Sequence, residues 1–143
     1  MIYLLSTQSI LDILCGETKA QAWQKSVPAN AVEVSAVSIG QALVTIQAIE
    51  KAARRHAFET ALSGFVSAAK VSQGIIPFDE EDALLWADLA SLSLPYTAPD
   101  GTSAELSPSS RMVVATALHR GATLVEAPQP YHGRIKGLKT VSF

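Results

Sequence analysis

Residues 1–14 read MIYLLSTQSILDIL, a short apolar run followed directly by an amphipathic stretch. The run from Ile2 to Leu5 predicts a buried first strand, because uninterrupted apolar runs of this length are typical of strands covered on both faces. A helix is predicted next, and Ser9 and Asp12 have the spacing of a capping box at its start. This opening unit indicates an α/β fold.

The rest of the chain continues the alternation of short apolar runs with longer amphipathic stretches, which is typical of a parallel sheet flanked by helices. Further strands are predicted at Val32–Val37, Ile75–Phe78, Ala122–Val125 and Thr140–Ser142. Helices are predicted from a Ser38 cap to about Ala52, at Arg54–Lys70, at Glu80–Leu92 and from Ser107 and Pro108 to the residue before Gly121. The segment Pro95–Ser107, rich in Pro, Gly, Ser and Thr, predicts a loop.

Composition limits the possible classes of protein. A chain of 143 residues, 48% apolar and 17% charged, can build one hydrophobic core, so we expect a single domain spanning 1–143. No apolar run approaches the roughly 20 residues of a membrane span, and the start lacks a basic leader, so a cytoplasmic protein without membrane contact is expected. Cys15, the one cysteine, is expected to be a buried and inert thiol.

Charge is distributed unevenly along the chain. The segment from residue 111 to the end has five basic residues and one acid, whereas the chain as a whole has a net charge of −2. Such a segment could bind phosphate, which makes RNA a candidate ligand of Arg111, Arg120, Arg134 and Lys136. The competing interpretation is that these are separate, solvated side chains.

Five segments together carry a family resemblance. They are MIYLLSTQSILDIL (1–14), VSAVSIGQ (34–41), IIPFDEEDALLWADLA (75–90), MVVATALHRGATLVE (112–126) and GRIKGLKTV (133–141). In their order and spacing, the chain resembles the PIN-domain family, and especially the VapC and FitB-like toxin ribonucleases. The resemblance implies a three-layer α/β/α fold with a central parallel sheet.

The resemblance also exposes a departure at the family's metal site. Members use four acidic residues at the carboxyl ends of parallel strands to hold Mg²⁺ or Mn²⁺, which activates water for RNA cleavage. Carried over by position, these sites fall on Ser6, Gln41, Ser110 and Tyr131. None of these side chains supplies a negative charge at neutral pH. We therefore predict a degenerate PIN domain with no metal and no other cofactor.

Several of these and neighbouring residues also have a structural explanation. Gln41 lies three residues after Ser38 and could complete a capping box. The acidic run 79–82 matches an acidic helix start outside the family's metal cluster, where negative charge favours the helix dipole. The three histidines, His56, His119 and His132, lack the spacing of a helical zinc pair and are expected at the surface.

Two functional hypotheses remain. The first is a pseudoenzyme that binds RNA or a protein partner, either as a homodimer through Gly40–Ala52 and Phe58–Ala69 or with an antitoxin-like protein. The alternative is an endoribonuclease toxin of a toxin–antitoxin system whose Mg²⁺ or Mn²⁺ site is non-standard or is completed by a partner. The sequence favours the first, because nearby acids such as Asp12 do not replace four converging carboxylates.

Overall fold

Seven strands and six α-helices make up the structure, a computed structural model that describes residues 1–72 and 74–143. The strands are β1 (Tyr3–Leu5), β2 (Val32–Ser35), β3 (Ile75–Ile76), β4 (Pro95–Thr97), β5 (Ser103–Glu105), β6 (Thr123–Val125) and β7 (Lys139–Val141). The helices are α1 (Thr7–Leu14), α2 (Thr18–Ser26), α3 (Ala36–Gln47), α4 (Ala52–Ser72), α5 (Glu80–Ala90) and α6 (Pro108–Arg120). Short 3₁₀ turns occupy Ala29–Ala31 and Pro130–Arg134.

A five-stranded sheet of order β3-β2-β1-β6-β7 forms the centre of the fold, and all of its neighbouring strands are parallel. Successive side chains of a strand point to opposite faces. Leu4 accordingly packs in one core cluster with residues of α5 and α6, whereas Leu5 packs in the other with residues of α1, α3 and α4. The predicted three-layer α/β/α fold with a central parallel sheet is therefore confirmed.

Two predicted helix starts were wrong, and the reason is the same in both. Helix α1 is capped by Ser6, whose Oγ accepts a hydrogen bond from the backbone N of Ser9 at 3.2 Å. Helix α3 is capped by Ser35, whose Oγ accepts from the backbone N of Val37 at 3.1 Å. In each case the serine that ends a strand also caps the next helix, so the predicted caps, Ser9 and Ser38, lie inside the helices.

Other boundaries were partly correct. Ser107 and Pro108 start α6 as predicted, and Gly121 ends it in the left-handed conformation, with φ of 63°. The predicted loop at Pro95–Ser107 instead contains the antiparallel hairpin of β4 and β5. Cys15 is exposed rather than buried, because α1 ends at Leu14 and leaves the thiol beyond its last turn. Within the described part of the chain, no helix has the length and apolar character to span a bilayer.

Arg111 connects the loop before α6 to the end of α5. Its side chain is buried, Nε donates to the carbonyl oxygen of Leu106 at 2.8 Å, and Nη1 donates to those of Leu89 and Leu92 at 2.6 and 2.8 Å. The contacts with Leu106 and Leu89 are buried, so the guanidinium satisfies acceptors that water does not readily reach.

We expect Arg111→Met to lower the free energy of unfolding by about 3–5 kcal/mol, because three carbonyl groups lose a charged donor together. Urea denaturation measures the change. Lys136→Met is the matched control: Lys136 is exposed, and its replacement should change stability by less than about 0.5 kcal/mol. Equal effects of the two substitutions would contradict the structural role of Arg111.

Candidate functional site

A small cleft lies at the carboxyl ends of β1 and β6, beside the first turns of α1 and α6. Its free volume is about 30 Å³, and its walls include all four positions predicted from the sequence, Ser6, Gln41, Ser110 and Tyr131. In parallel sheets such an edge is where ligands usually bind, because the strands end together and the following loops and helices diverge. The geometry therefore brings the predicted positions together in one place.

Three of the wall residues are joined by hydrogen bonds that cross between helices. Thr7 Oγ1 donates to Gln41 Oε1, and Gln41 Nε2 donates to Ser110 Oγ at 3.3 Å. Ser107 Oγ donates to Ser110 Oγ at 3.0 Å. The predicted capping box between Ser38 and Gln41 was wrong, because the residue that caps α3 is Ser35, three residues before Ser38. Gln41 instead connects α1 with α6 across the cleft.

The hydroxyl group of Ser6, just after β1, is used in hydrogen bonds at the start of α1. Besides capping α1, its Oγ donates to Ser9 Oγ at 3.0 Å, and Ser9 Oγ donates to the carbonyl oxygen of Val125 at 2.6 Å. Both serines are buried. Their hydroxyl groups therefore join the start of α1 to the end of β6, which explains why short polar side chains fold well at this position.

One carboxylate does reach the cleft, and the sequence analysis missed it. Glu126 follows β6 directly, and one of its carboxylate oxygens accepts a hydrogen bond from the Tyr131 hydroxyl and lies 2.8 Å from His132 Nε2. Burial of Tyr131 and, secondarily, the neighbouring Glu126 raise the pKa of the Tyr131 hydroxyl well above its usual range. The available signal was the position of Glu126, the first residue past the carboxyl end of a central strand.

The cleft does not fit the Mg²⁺ or Mn²⁺ ion that PIN-type chemistry uses. Hard cations prefer several carboxylate oxygens and ordered water, whereas this cleft offers one carboxylate that already contacts Tyr131 and His132. Its hydroxyl and amide groups are neutral and largely bound to one another. A metal ion would therefore have to displace these contacts while gaining little compensating negative charge.

A second, wider cleft adjoins the first and shares Glu126 and Tyr96 with it. It has a volume of about 510 Å³ and is also lined by Asp12, Glu17 and Lys19. Asp12 does not complete a capping box; it accepts a hydrogen bond from Gln8 Nε2 at 2.9 Å instead. Its carboxylate lines the wider cleft but not the small one.

Elsewhere among residues 1–72 and 74–143, the one cluster of three acidic or histidine side chains whose oxygen and nitrogen atoms lie within 4.8 Å of one another is Asp79, Asp82 and His119. His119 lies nine residues after Ser110 on α6, about 14 Å along the helix, so this group is separate from the cleft. The surface prediction for the histidines was incomplete, because His119 is part buried among carboxylates and His132 contacts Glu126.

The four basic residues proposed for RNA have different surroundings. Arg111 is buried and bound to carbonyl groups, and Arg120 places Nε and Nη2 each 2.5 Å from a carboxylate oxygen of the buried Glu33. These contacts make both arginines structural residues and do not support their use as phosphate ligands. Arg134 and Lys136 are exposed, and Arg134 Nη1 donates to the carbonyl oxygen of Ser93 at 3.2 Å.

Comparison of the whole fold with solved structures gives consistent matches. The chain aligns with VapBC2 from Rickettsia felis, bound to a promoter DNA fragment, at a TM-score of 0.76 and 16% identity over 100% of this chain and 99% of that one. DNA-bound VapBC from Salmonella typhimurium gives a TM-score of 0.74 and 15% identity, covering 99% and 98%. FitAcB from Neisseria gonorrhoeae gives 0.69 and 20%, covering 97% and 96%.

These matches define the class of the fold: it is the PIN-domain fold of VapC and FitB-like proteins. At the sequence level, no protein-family model and no curated protein matches the chain. At 15–20% identity the likeness concerns the fold, and the chemistry has to be argued from the side chains in the cleft.

We expect Tyr131→Phe to lower the free energy of unfolding by about 1.5–3 kcal/mol, because it removes a buried hydrogen bond to a charged acceptor. Tyr96→Phe, which removes a hydroxyl from the same cleft, is the control and should cost less than about 1 kcal/mol. Chemical denaturation of both variants provides the measurement. If Tyr131→Phe were neutral, the contact with Glu126 would not stabilise the cleft.

Proposed function

We propose that this chain is a catalytically inactive protein of PIN fold, related to the VapC and FitB-like toxins, and that it acts by binding a protein partner. The observation that carries the proposal is the cleft at the carboxyl ends of the strands. It is lined by Ser6, Gln41, Ser110 and Tyr131, the four positions that the resemblance assigns to the family's acidic cluster, and their polar groups are bound within the protein.

The inference of inactivity follows from the chemistry of metal-assisted hydrolysis. A hydrolytic metal ion has to lower the pKa of bound water and stabilise charge on the phosphate, and both roles need an ion held in fixed geometry. Neutral hydroxyl and amide groups do not offset the cost of stripping water from such an ion. The single carboxylate, Glu126, is already in contact with Tyr131 and His132.

A protein partner is favoured over RNA. The similar structures are VapBC and FitAcB complexes, so an antitoxin-like protein is the partner we propose for this chain. RNA is the weaker candidate because Arg111 and Arg120 are engaged inside the fold, which leaves Arg134 and Lys136 as exposed members of the predicted basic set.

Glu126 favours one alternative, a ribonuclease with a non-standard or partner-supplied Mg²⁺ or Mn²⁺ site. This carboxylate lines both clefts, and Asp12 and Glu17 line the wider one. If a partner contributed further acids, an ion could be held there. The alternative therefore predicts metal binding that depends on Glu126, whereas the proposed function predicts none.

We expect thermal melts with millimolar Mg²⁺ or Mn²⁺ to overlay the melt in a chelator, and RNase assays on tRNA and single-stranded RNA to show no metal-dependent cleavage. An ion present at one hundred times its dissociation constant would add about 2.7 kcal/mol of stability, which a melt detects readily. Both assays are to be run with the chain alone and with its copurified or coexpressed antitoxin-like partner. Cleavage that a chelator and Glu126→Gln both abolish would establish the alternative.

A restored variant supplies the positive control. Ser6→Asp, Gln41→Glu, Ser110→Asp and Tyr131→Asp together place four carboxylates around the cleft, and we expect them to introduce metal-dependent stabilisation. Without metal this variant should be less stable than the wild type, because closely spaced carboxylates repel one another and some must take up protons. If the restored protein gains no stability from metal, the positions have been assigned wrongly.

We further propose that the chain forms a homodimer through α3. Phe58, Leu62 and Phe65 of α4 pack into the core, so most of the predicted Phe58–Ala69 surface is used within the monomer. On α3, by contrast, Leu43 and Val44 remain 36% and 67% exposed. The candidate dimer surface therefore narrows to the outer face of α3.

We expect Val44→Asp to weaken self-association at least about tenfold, because a buried carboxylate at an apolar contact costs more than about 1.4 kcal/mol. Light scattering and sedimentation across micromolar concentrations measure the association. Val71→Asp is the matched control, since Val71 is 90% exposed and lies outside the predicted surface. A wild-type protein that stays monomeric throughout this range would remove the homodimer from the proposal.

A further inference from the structure

Polar contacts hold helix α5 against α6 at both ends, through an arginine at one end and a histidine at the other. At its carboxyl end, Arg111 of α6 donates to the carbonyl oxygens of Leu89 and Leu92. At its amino end, Thr116 and His119 of α6 contact the side chain of Asp82. An arginine keeps its charge across the whole accessible pH range, whereas a histidine does not.

The contacts at the amino end are arranged around the imidazole of His119. Its Nδ1 lies 2.6 Å from Asp82 Oδ1 and 3.7 Å from Asp79 Oδ1, and its Nε2 lies 2.5 Å from Glu81 Oε2. Each ring nitrogen therefore faces a carboxylate oxygen at hydrogen-bonding distance. A neutral imidazole carries one N–H group, so only the doubly protonated, positively charged ring can donate to both sides.

Of the three carboxylates, Asp82 is the one whose negative charge is not solvated and is balanced by the imidazolium. Its side chain is 2% exposed, whereas those of Glu81 and Asp79 are 72% and 52% exposed and can be solvated by water. Thr116 Oγ1 donates to Asp82 Oδ2 at 2.9 Å, but a hydroxyl supplies no net charge. The imidazolium of His119 therefore compensates the buried carboxylate at hydrogen-bonding distance, and the more distant positive charge of Arg120 adds to this compensation.

We propose that His119 is a pH-sensitive contact. While protonated it holds the amino-terminal turn of α5 against α6, and its deprotonation loosens that turn. Release at this end would not free the whole helix, because Arg111 holds the carboxyl end at any pH. The turn that loosens is also the capped one: Asp82 Oδ2 accepts from the backbone N of Asp79 at 3.3 Å, and Asp79 Oδ1 accepts from that of Asp82 at 2.9 Å.

The charged groups of the surrounding elements determine whether folding favours the protonated or the neutral form of His119. Helix α5 contributes Asp79, Glu81 and Asp82, whereas Arg120, next to His119 on α6, is paired with Glu33 of β2. Lys139 of β7 binds the carbonyl oxygen of Gly121 at 2.9 Å, just past the end of α6.

The hydrogen bond that His119 donates to Asp82 comes first, and with the charges of Glu81, Asp79 and Asp82 it raises the pKa of His119 above its usual 6.5. A pKa raised by folding stabilises the protein fully below the unfolded value, and the stabilisation is lost as pH rises through the folded value. The amino end of α5 should therefore be held against α6 in mildly acidic solution, and this contact should loosen toward alkaline pH.

Amide hydrogen exchange tests the proposal on the full chain, in buffers with a chelator and with rates corrected for the intrinsic effect of pH. In the wild type, protection of amides 82–84, the first hydrogen-bonded amides of α5, should fall by about tenfold for each unit by which the pKa of His119 is raised, as pH increases through that range. Protection of amides 89–92, at the end held by Arg111, should stay constant. Equal changes at both ends would overturn the proposal.

His119→Gln retains a donor without the charge, so amides 82–84 should already be weakly protected at pH 6 and should show no such pH dependence. His56→Gln, at an exposed position on α4, is the control and should behave as the wild type. If amide protection in His119→Gln had the same pH dependence as in the wild type, the proposal would be refuted. If that variant does not fold, Asp82→Asn tests the same coupling, because NMR titration should then show a lower pKa for His119, and an unchanged one would refute the proposal.

Discussion

The parallel pairing of β1 with β2 on one side and β6 on the other is the constraint on which the site depends. Since all three strands run the same way, their carboxyl ends lie along one edge of the sheet. Ser6 directly follows β1, and Glu126 directly follows β6. Gln41 comes from the helix that follows β2. Residues far apart in sequence therefore surround one small cleft because of strand direction alone.

Within that cleft, hydrogen bonds join several of the side chains at the positions that the resemblance assigns to the family's metal ligands. Four carboxylates at such a spacing repel one another and need a cation, whereas a glutamine, hydroxyl groups and a tyrosine can satisfy one another. Gln41 connects Thr7 with Ser110, Ser6 caps α1, and Tyr131 donates to Glu126. A cleft built this way satisfies its polar groups without an ion, which is the observation on which the proposed function rests.

The sequence was informative where neighbouring residues decide the structure. Apolar runs predicted the five strands of the main sheet, and the Ser107, Pro108 and Gly121 signals predicted both ends of α6. The four positions that the resemblance assigned to the metal site all line the small cleft, whereas Glu126, which lines it too, was missed. Helix caps were harder, because Ser6 and Ser9, or Ser35 and Ser38, offer the same side chain, and the choice depends on where the preceding strand ends.

Long-range electrostatics could not be predicted in the same way. Glu33 and Arg120 are 87 residues apart in sequence, so nothing in the local pattern showed that this arginine neutralises a buried carboxylate. Nor did spacing show that His119 would meet Asp82, or that Glu126 would face Tyr131. The first two pairings arise from the packing of α6 against the sheet and α5, and the third from the turn at Pro130–Arg134, which folds back on the end of β6.

The central claim, that this PIN-fold cleft has no metal site, is tested most directly by crystals grown or soaked with Mn²⁺ and measured for anomalous scattering. We expect no anomalous peak in the cleft and intact hydrogen bonds between its side chains, which are those of Ser6, Gln41, Ser110, Glu126 and Tyr131. A Mn²⁺ peak coordinated by Glu126, with Tyr131 or Gln41 displaced to admit the ion, would contradict it.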